Sequence, residues 1–242
     1  MRLDRFLSGQ NVASRKQIKE LVGAGLVSVN GKVASDPSVN IKEASDCVSV
    51  RGEEIVYKKY LYVMLNKPKG VICATDDKRH QTVLDLLPES LKRKNMFPAG
   101  RLDIDTEGFV LLTDDGDFAH RMLSPKHHVP KTYHAVLAHP IAPEEIRRYC
   151  DGIVLKDGTK CLPAQLRVLE DGEHPLVSTV LYEGKFHQVK RMFEAVDNHV
   201  EALKRVSIGG LSLDPELAPG QAREILHKEC ELILGTNLPE NE

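Results

Sequence analysis

Leu3, Phe6 and Leu7 stand at i, i+3 and i+4, the spacing of one helix face, and Ile18, Leu21 and Val22 repeat it. Ser14, three residues before Gln17, has the form of a capping box that opens the second helix, and Gly23-Ala24-Gly25 ends it. Alternation follows in Val27-Ser28-Val29. With the Asn30-Gly31 pair and Lys32-Val33 it predicts a hairpin, because the tightest hairpin turn needs two residues at positive φ. Val48-Ser49-Val50 and Glu54-Ile55-Val56 predict two further short strands. Residues 1–59 therefore read as one small unit.

From Tyr60 onward the pattern changes. Leu61 to Leu65 predicts a buried strand running into a turn at Asn66-Lys67-Pro68-Lys69-Gly70, with a strand resuming at Val71-Ile72-Cys73. Val83 to Leu87 reads as a short helix stopped by Pro88, and Val110 to Thr113 as a strand ended by Asp114-Asp115-Gly116. Strands are expected at 132–137, 164–169 and 176–182, with a helix near 143–150. Val189, Met192, Phe193 and Val196 at i, i+3, i+4 and i+7 predict a helix over 187–196. Strands and helices mix without a β-α-β rhythm, so residues 60–242 are expected to form an α+β domain rather than a doubly wound one. The end, Asn237 to Glu242, is expected to fray.

Charge and cysteine usage narrow the function. No run approaches 18 apolar residues, which predicts no membrane span, and the charged start MRLDRFLSGQ does not fit a secretory leader. Five cysteines, odd in number and without a C-x-x-C pair, argue against a disulfide framework or a zinc site and for the reducing cytoplasm. Residues 1–35 hold six Lys/Arg against two acids, whereas residues 212–242 hold two against seven. A basic head on a near-neutral body points to a phosphate-bearing partner. Arg15, Lys16 and Lys19 lie off the apolar stripe of the second helix, where they form either a solvated face or a phosphate-contacting one.

Nucleotide and hydrolase signatures are absent: the chain has no G-x-G-x-x-G, no G-x-x-x-x-G-K-[ST], no H-E-x-x-H and no G-x-S-x-G. His120, His127 and His128 lack a third ligand on a shared face, so a polar loop is expected there rather than a metal site. The richest stretch is Gly100-Arg101-Leu102-Asp103-Ile104-Asp105-Thr106-Glu107-Gly108, a glycine-bounded segment crowded with three carboxylates. By chemistry alone these carboxylates fit structural capping, or paired acid and nucleophile at a glycosidic bond.

G-R-L-D-x-x-T-x-G resembles the hallmark of the pseudouridine synthases that act on ribosomal RNA. Their other motifs have counterparts here in order: Met64-Leu65-Asn66-Lys67-Pro68, Lys131-Thr132-Tyr133, Glu183 through Phe193, and Leu203-Lys204-Arg205-Val206-Ser207-Ile208-Gly209. The head, RLDRFL followed by SRKQIKELVGAGLVSVNGKV, resembles the S4 RNA-binding module. GRLDIDT, TDDG, SPKHH, KTY, HQVKRMF and LAPG are more similar to the small-subunit branch, and Phe186-His187 stands where large-subunit relatives more often carry Asn-Arg.

The resemblance implies a mainly antiparallel synthase domain with a central cleft. It implies isomerisation of a uridine, uridine 516 in 16S rRNA for that branch, without cofactor or metal. Asp103 would be the catalytic carboxylate, Lys190 its charge partner and Tyr133 the ring stacked on the target base. Arg101 would hold the extruded nucleotide, Leu203 would wall the pocket, Leu102 would pack beneath the loop, and Arg15, Lys16 and Lys19 would contact RNA. The expected partner is 16S rRNA or the assembling small subunit, met by a monomer. A retired, RNA-binding synthase does not fit a chain that retains Asp103, Tyr133 and Lys190. An RNA glycosidase using Asp103 and Asp105 would differ by releasing free uracil.

Overall fold

Ser14 and Gln17 cap each other: the serine hydroxyl accepts from the Gln17 N–H at 3.4 Å, and Gln17 Oε1 accepts from the Ser14 N–H at 3.0 Å. The computed structural model, which describes residues 1–43 and 45–235, accordingly opens on α1 (Leu3–Gly9) and α2 (Arg15–Gly23). The expected fraying at 237–242 lies outside the described residues. Asn30 and Gly31 both take positive φ, joining β1 (Val27–Val29) to β2 (Lys32–Val33). Next come β3 (Val48–Val50) and β4 (Glu53–Glu54), giving an antiparallel sheet in the order β2-β1-β3-β4. The fourth strand starts one residue earlier than the alternation predicts and stops short of Ile55, because Arg51 and Gly52, both at positive φ, reverse the chain at once. Leu3, Leu7, Ile18, Val22 and Val27 are buried together, which turns Arg15, Lys16 and Lys19 to solvent.

The remainder of the chain builds one large sheet. Its elements are β5 (Tyr62–Lys67), β6 (Phe97–Ala99), β7 (Glu107–Thr113), α3 (Gly116–Leu123), β8 (Lys131–Leu137), α4 (Pro143–Cys150), β9 (Gln165–Glu170) and β10 (Leu176–Leu181). These are followed by α5 (Gln188–Glu194), β11 (Val200–Ile208), β12 (Leu211–Ser212), β13 (Ala222–Glu224) and α6 (His227–Leu234). The main path runs β13-β5-β7-β11-β8-β10-β9, with β6 beside β7 and β12 beside β11. Among the described residues only the β7–β11 pair is parallel. No described helix is long and apolar enough to cross a membrane.

The period-2 alternation of strands feeds two cores from one sheet. Met64, Phe109 and Leu111 pack with α3 and α6 on one face, while Val63, Leu65, Val110 and Leu112 pack on the other against Leu87, Met96 and Leu102. A further core joins Ala135, Leu137 and Val177 to Tyr149 of α4 and to Val189, Met192 and Phe193 of α5. Tyr133 packs against both this core and the one containing Leu102, at the seam between the two halves of the sheet.

Two local expectations are corrected here. Val71 to Cys73 is not a strand; Ile72 makes a single bridge to Thr82. Residues 83–87 form turns rather than a helix, since the Asp85 carboxylate accepts from both the N–H and the hydroxyl of Thr82 and closes the chain into a tight loop.

Candidate active site

The carboxylate-rich segment enters β7 where that strand meets β11, and Gly108 makes the junction possible. Its φ is +102°, and a Cβ there would lie 2.2 Å from the Arg205 carbonyl oxygen, so any other residue would push the two strands apart. Upstream of Gly108 the backbone is clamped. The Lys67 ammonium, at the end of β5 and wholly buried, donates to the carbonyls of Thr106 (2.8 Å), Asp103 (3.0 Å), Pro68 (3.1 Å) and Ile104 (3.3 Å). The Gly70 N–H donates to the Ile104 carbonyl at 2.8 Å, and the Leu102 N–H to Cys73 Sγ at 3.3 Å. The motif expected to be only a turn is thus the anchor of the loop. Burial holds the Lys67 amine below its ordinary pKa, while Cys73, Asp105 and Asp103 pull the other way.

A second segment, 183–188, faces this loop. Gln188 is buried; its amide nitrogen donates to Glu183 Oε1 at 2.7 Å and its carbonyl accepts from the Lys185 N–H at 2.9 Å. Glu183 also accepts from the Leu162 N–H, and Lys185 caps its other oxygen. Held this way, the segment presents His187 and, one helical turn into α5, Lys190.

Arg101, Asp103, Tyr133, Lys190 and Leu203 all line one cleft of about 680 Å³. Leu203 is buried against the α4/α5 core, and Leu102 packs under the loop while also reaching the cleft. Arg15, Lys16 and Lys19 are elsewhere, lining a shallow depression on the head with Arg2 and Arg5.

Lys190 faces Asp103 and also a second carboxylate, Asp105, which stands nearer. Its ammonium bonds both oxygens of Asp105, at 2.6 and 2.7 Å, and stands 3.6 Å from Asp103 Oδ2. Asp103 is held through its backbone by Lys67, whereas the more exposed Asp105 side chain is free to meet the ammonium. This bond holds the Asp105 carboxyl below the usual range. Asp103, 28% exposed, has a second neighbour in His187, whose Nε2 lies 3.4 Å from Oδ1. One ammonium therefore faces two carboxylates, and the less exposed of them, Asp103, lines the cleft.

Two basic groups at the cleft floor have no role from sequence spacing. Lys131 donates to the Val129 carbonyl at 2.8 Å, and burial brings its amine down to about 8. Arg205, opposite Tyr133 in the β8–β11 register, donates through Nε to the Phe109 carbonyl at 2.7 Å, while one terminal nitrogen is buried without a partner. Both lie inside quoted motifs, but only the three-dimensional pairing of β8 with β11 brings them together. His120, His127 and His128 are exposed, and no described group of three His, Cys, Asp or Glu is placed to hold a metal ion.

A carboxylate-bearing loop over a sheet seam thus faces a cationic helix start and an aromatic ring across one cleft. Residues 61–195 match the family model described as RNA pseudouridylate synthase, and residues 1–46 match the S4 domain. An uncharacterised RNA pseudouridine synthase of Bacillus subtilis is 47% identical over 234 residues, covering 96% of this chain and 98% of its own. Ribosomal small subunit pseudouridine synthase A of Escherichia coli is 42% identical over 238 residues, 97% of this chain and 100% of its own. A crystal structure titled pseudouridylate synthase superposes with a TM-score of 0.66 at 36% identity, covering 96% and 99% of the two chains. The chain belongs to the RNA pseudouridylate synthase family, whose members isomerise uridine to pseudouridine.

Proposed function

We propose that this protein converts uridine 516 of 16S rRNA to pseudouridine, with Asp103 as the catalytic carboxylate. The observation that carries the reading is the meeting of Asp103 with Lys190 and His187 in the cleft that Tyr133, Arg101 and Leu203 also line. Full-length similarity to relatives named for the small ribosomal subunit supports the choice of RNA.

The reaction breaks the N1–C1′ bond, turns the base and joins C5 to C1′; a proton leaves C5 and one is gained at N1. No electron or group donor is consumed. What is required is an ionised carboxylate beside the sugar and base, acting as nucleophile or proton acceptor. A carboxylate's charge is held less favourably wherever a bound base excludes water. Lys190 opposes this, shared with Asp105 so that the ammonium stays fixed. Tyr133 stacks on the uracil, Leu203 closes the wall behind it, and Arg101 holds the nucleotide out of its helix, offsetting an unstacking cost of a few kcal/mol. The head, residues 1–59, binds phosphates through Arg15, Lys16 and Lys19 while the body, 60–242, carries the chemistry. The protein works as a monomer in the cytoplasm.

The test is to incubate unmodified 16S rRNA with the protein and map pseudouridine by carbodiimide labelling and primer extension. One new stop at uridine 516 is expected. A stop only at another uridine, or only in 23S rRNA, would overturn the target; free uracil in place of pseudouridine would make the enzyme a glycosidase.

The head has its own readout. Replacing Arg15, Lys16 and Lys19 together with Gln should weaken RNA binding and reduce the slope of log affinity against log salt by about 2, since each phosphate contact contributes roughly 0.7 to 0.9. An unchanged slope would move the phosphate-binding surface off this helix.

A further inference from the structure

Phe186 is the most exposed large apolar side chain among the described residues, at 72%. A single exposed hydrophobic residue is ordinary on a protein surface. This one differs in three respects. It lines the same cleft as Asp103. Its ring is already stacked, with the His187 imidazole against one face at 3.7 Å between centroids and 18° between planes. The backbone that presents it is braced: Gln188 ties Glu183 to Lys185 on one side, the Arg191 guanidinium donates to the Phe186 carbonyl on the other, and His187 is held at a positive φ of 50°. A non-glycine residue in that region costs free energy, and such strain persists only where the surroundings impose it.

The outcome is a rigid aromatic plate at the cleft rim, with one face covered and the other open. Stacking on it would forfeit little rotamer freedom, because His187 and the braced backbone already restrict the ring. The target uracil is not its natural occupant. That base must sit beside Asp103, where Tyr133 and the buried Leu203 form the walls, whereas Phe186, though it lines the same cleft, is largely open to solvent. Extruding one nucleotide leaves its neighbours with an uncovered face, and aromatic side chains stack on unpaired bases of any sequence.

We propose that Phe186 is a positioning residue that stacks on a nucleobase adjacent to the target uridine and holds the strand open while the uridine occupies the cleft. The inference rests on reading the cleft as the uridine site. It adds a contact outside the reacting nucleotide, made by a ring whose partner, His187, also neighbours Asp103.

The experiment uses the full chain and a 16S rRNA fragment spanning uridine 516, with 2-aminopurine placed in turn at the 5′ and 3′ neighbours. Binding of the wild-type protein is expected to quench one of the two probes, as a base newly stacked on an aromatic ring should. Phe186→Ala should abolish that quench and lower kcat/KM for the unlabelled fragment by roughly tenfold to a hundredfold, the range for loss of one base–aromatic stack. Phe186→Trp should restore both. Wild-type rate and quench in Phe186→Ala would overturn the proposal. So would a lost rate that Trp rescues with neither neighbour quenched, which would assign the ring to the target base itself. A lost rate that Trp does not rescue would make Phe186 structural. If the wild-type protein quenches a neighbour but forms no pseudouridine, the stacking role stands and the catalytic reading fails.

Discussion

Asp103→Asn is expected to lower pseudouridine formation by at least about a thousandfold and to leave RNA affinity within about twofold, if Asp103 is the catalytic carboxylate proposed above and its charge is used only in chemistry. The substitution is nearly isosteric. The backbone contact that holds position 103 runs through its carbonyl, to Lys67, and survives the change, while the side chain loses its charge pairing with His187 and Lys190. Nor does it strand a cation, because Lys190 retains both oxygens of Asp105 at 2.6 and 2.7 Å. RNA affinity comes mainly from phosphate contacts, which the cleft carboxylate does not make. The measurement is tritium release from RNA carrying 5-tritiated uridine, since the C5 hydrogen leaves only if the base is rejoined through C5, alongside a filter-binding isotherm. Asp105→Asn is the matching control. It removes the tightest partner of Lys190 but not the cleft carboxylate, so its loss of rate should be far smaller. Equal losses at the two positions would mean that the carboxylates act as a pair. A collapse of affinity in Asp103→Asn would make that residue structural.

Much of this site was legible in the linear chain, and the failures have physical causes. The Ser14–Gln17 box, the Asn30-Gly31 turn and the helix carrying Val189, Met192 and Phe193 are local, so spacing alone predicts them. The longest strand, β11, escapes because Glu201, Lys204 and Arg205 break its alternation; it is specified by β7 on one side and β8 on the other, far away in the chain. Helix α3 is hidden for a different reason. Asp114-Asp115-Gly116 looks like a turn, yet Asp115 is the N-cap, accepting from the Phe118 N–H at 3.0 Å. At the site, Arg101, Asp103, Tyr133, Lys190 and Leu203, which the motifs single out, line one cleft, but spacing does not decide between Asp103 and Asp105 as the nearer partner of Lys190. The two differ by two positions, and the choice depends on which side chain the loop leaves free to move. Lys67 was hardest to read: a lysine in an N-K-P-K-G turn looks solvent-exposed until the carbonyls of a distant loop converge on it.

That convergence makes Lys67→Met the substitution with the largest expected effect on stability. A methionine fills the same volume but donates nothing, and the carbonyls of Asp103, Ile104 and Thr106 lose a common donor inside the protein. Hydrogen bonds to a charged group contribute about 1.5 to 3 kcal/mol each, and a buried acceptor left without a partner costs about 1 to 3 kcal/mol. The losses are not additive, since one side chain makes them all, and the removed amine no longer has to be desolvated. A net destabilisation of about 3 kcal/mol follows. In a chain of this size that lowers the midpoint of the body's thermal transition by about 10 °C. Activity should fall further than stability requires. Well below the midpoint, where the variant is folded, kcat should drop at least about tenfold while RNA affinity holds, because the loop bearing Asp103 has lost its tether and a displacement of about 1 Å is enough to misalign a reacting group. Calorimetry with single-turnover kinetics at a temperature where both proteins are folded separates the two effects. An unchanged midpoint would show that the four carbonyls find water or other donors without loss. A lowered midpoint with normal kcat would mean that Lys67 stabilises the sheet and leaves the placement of Asp103 to Gly70, Cys73 and the junction at Gly108.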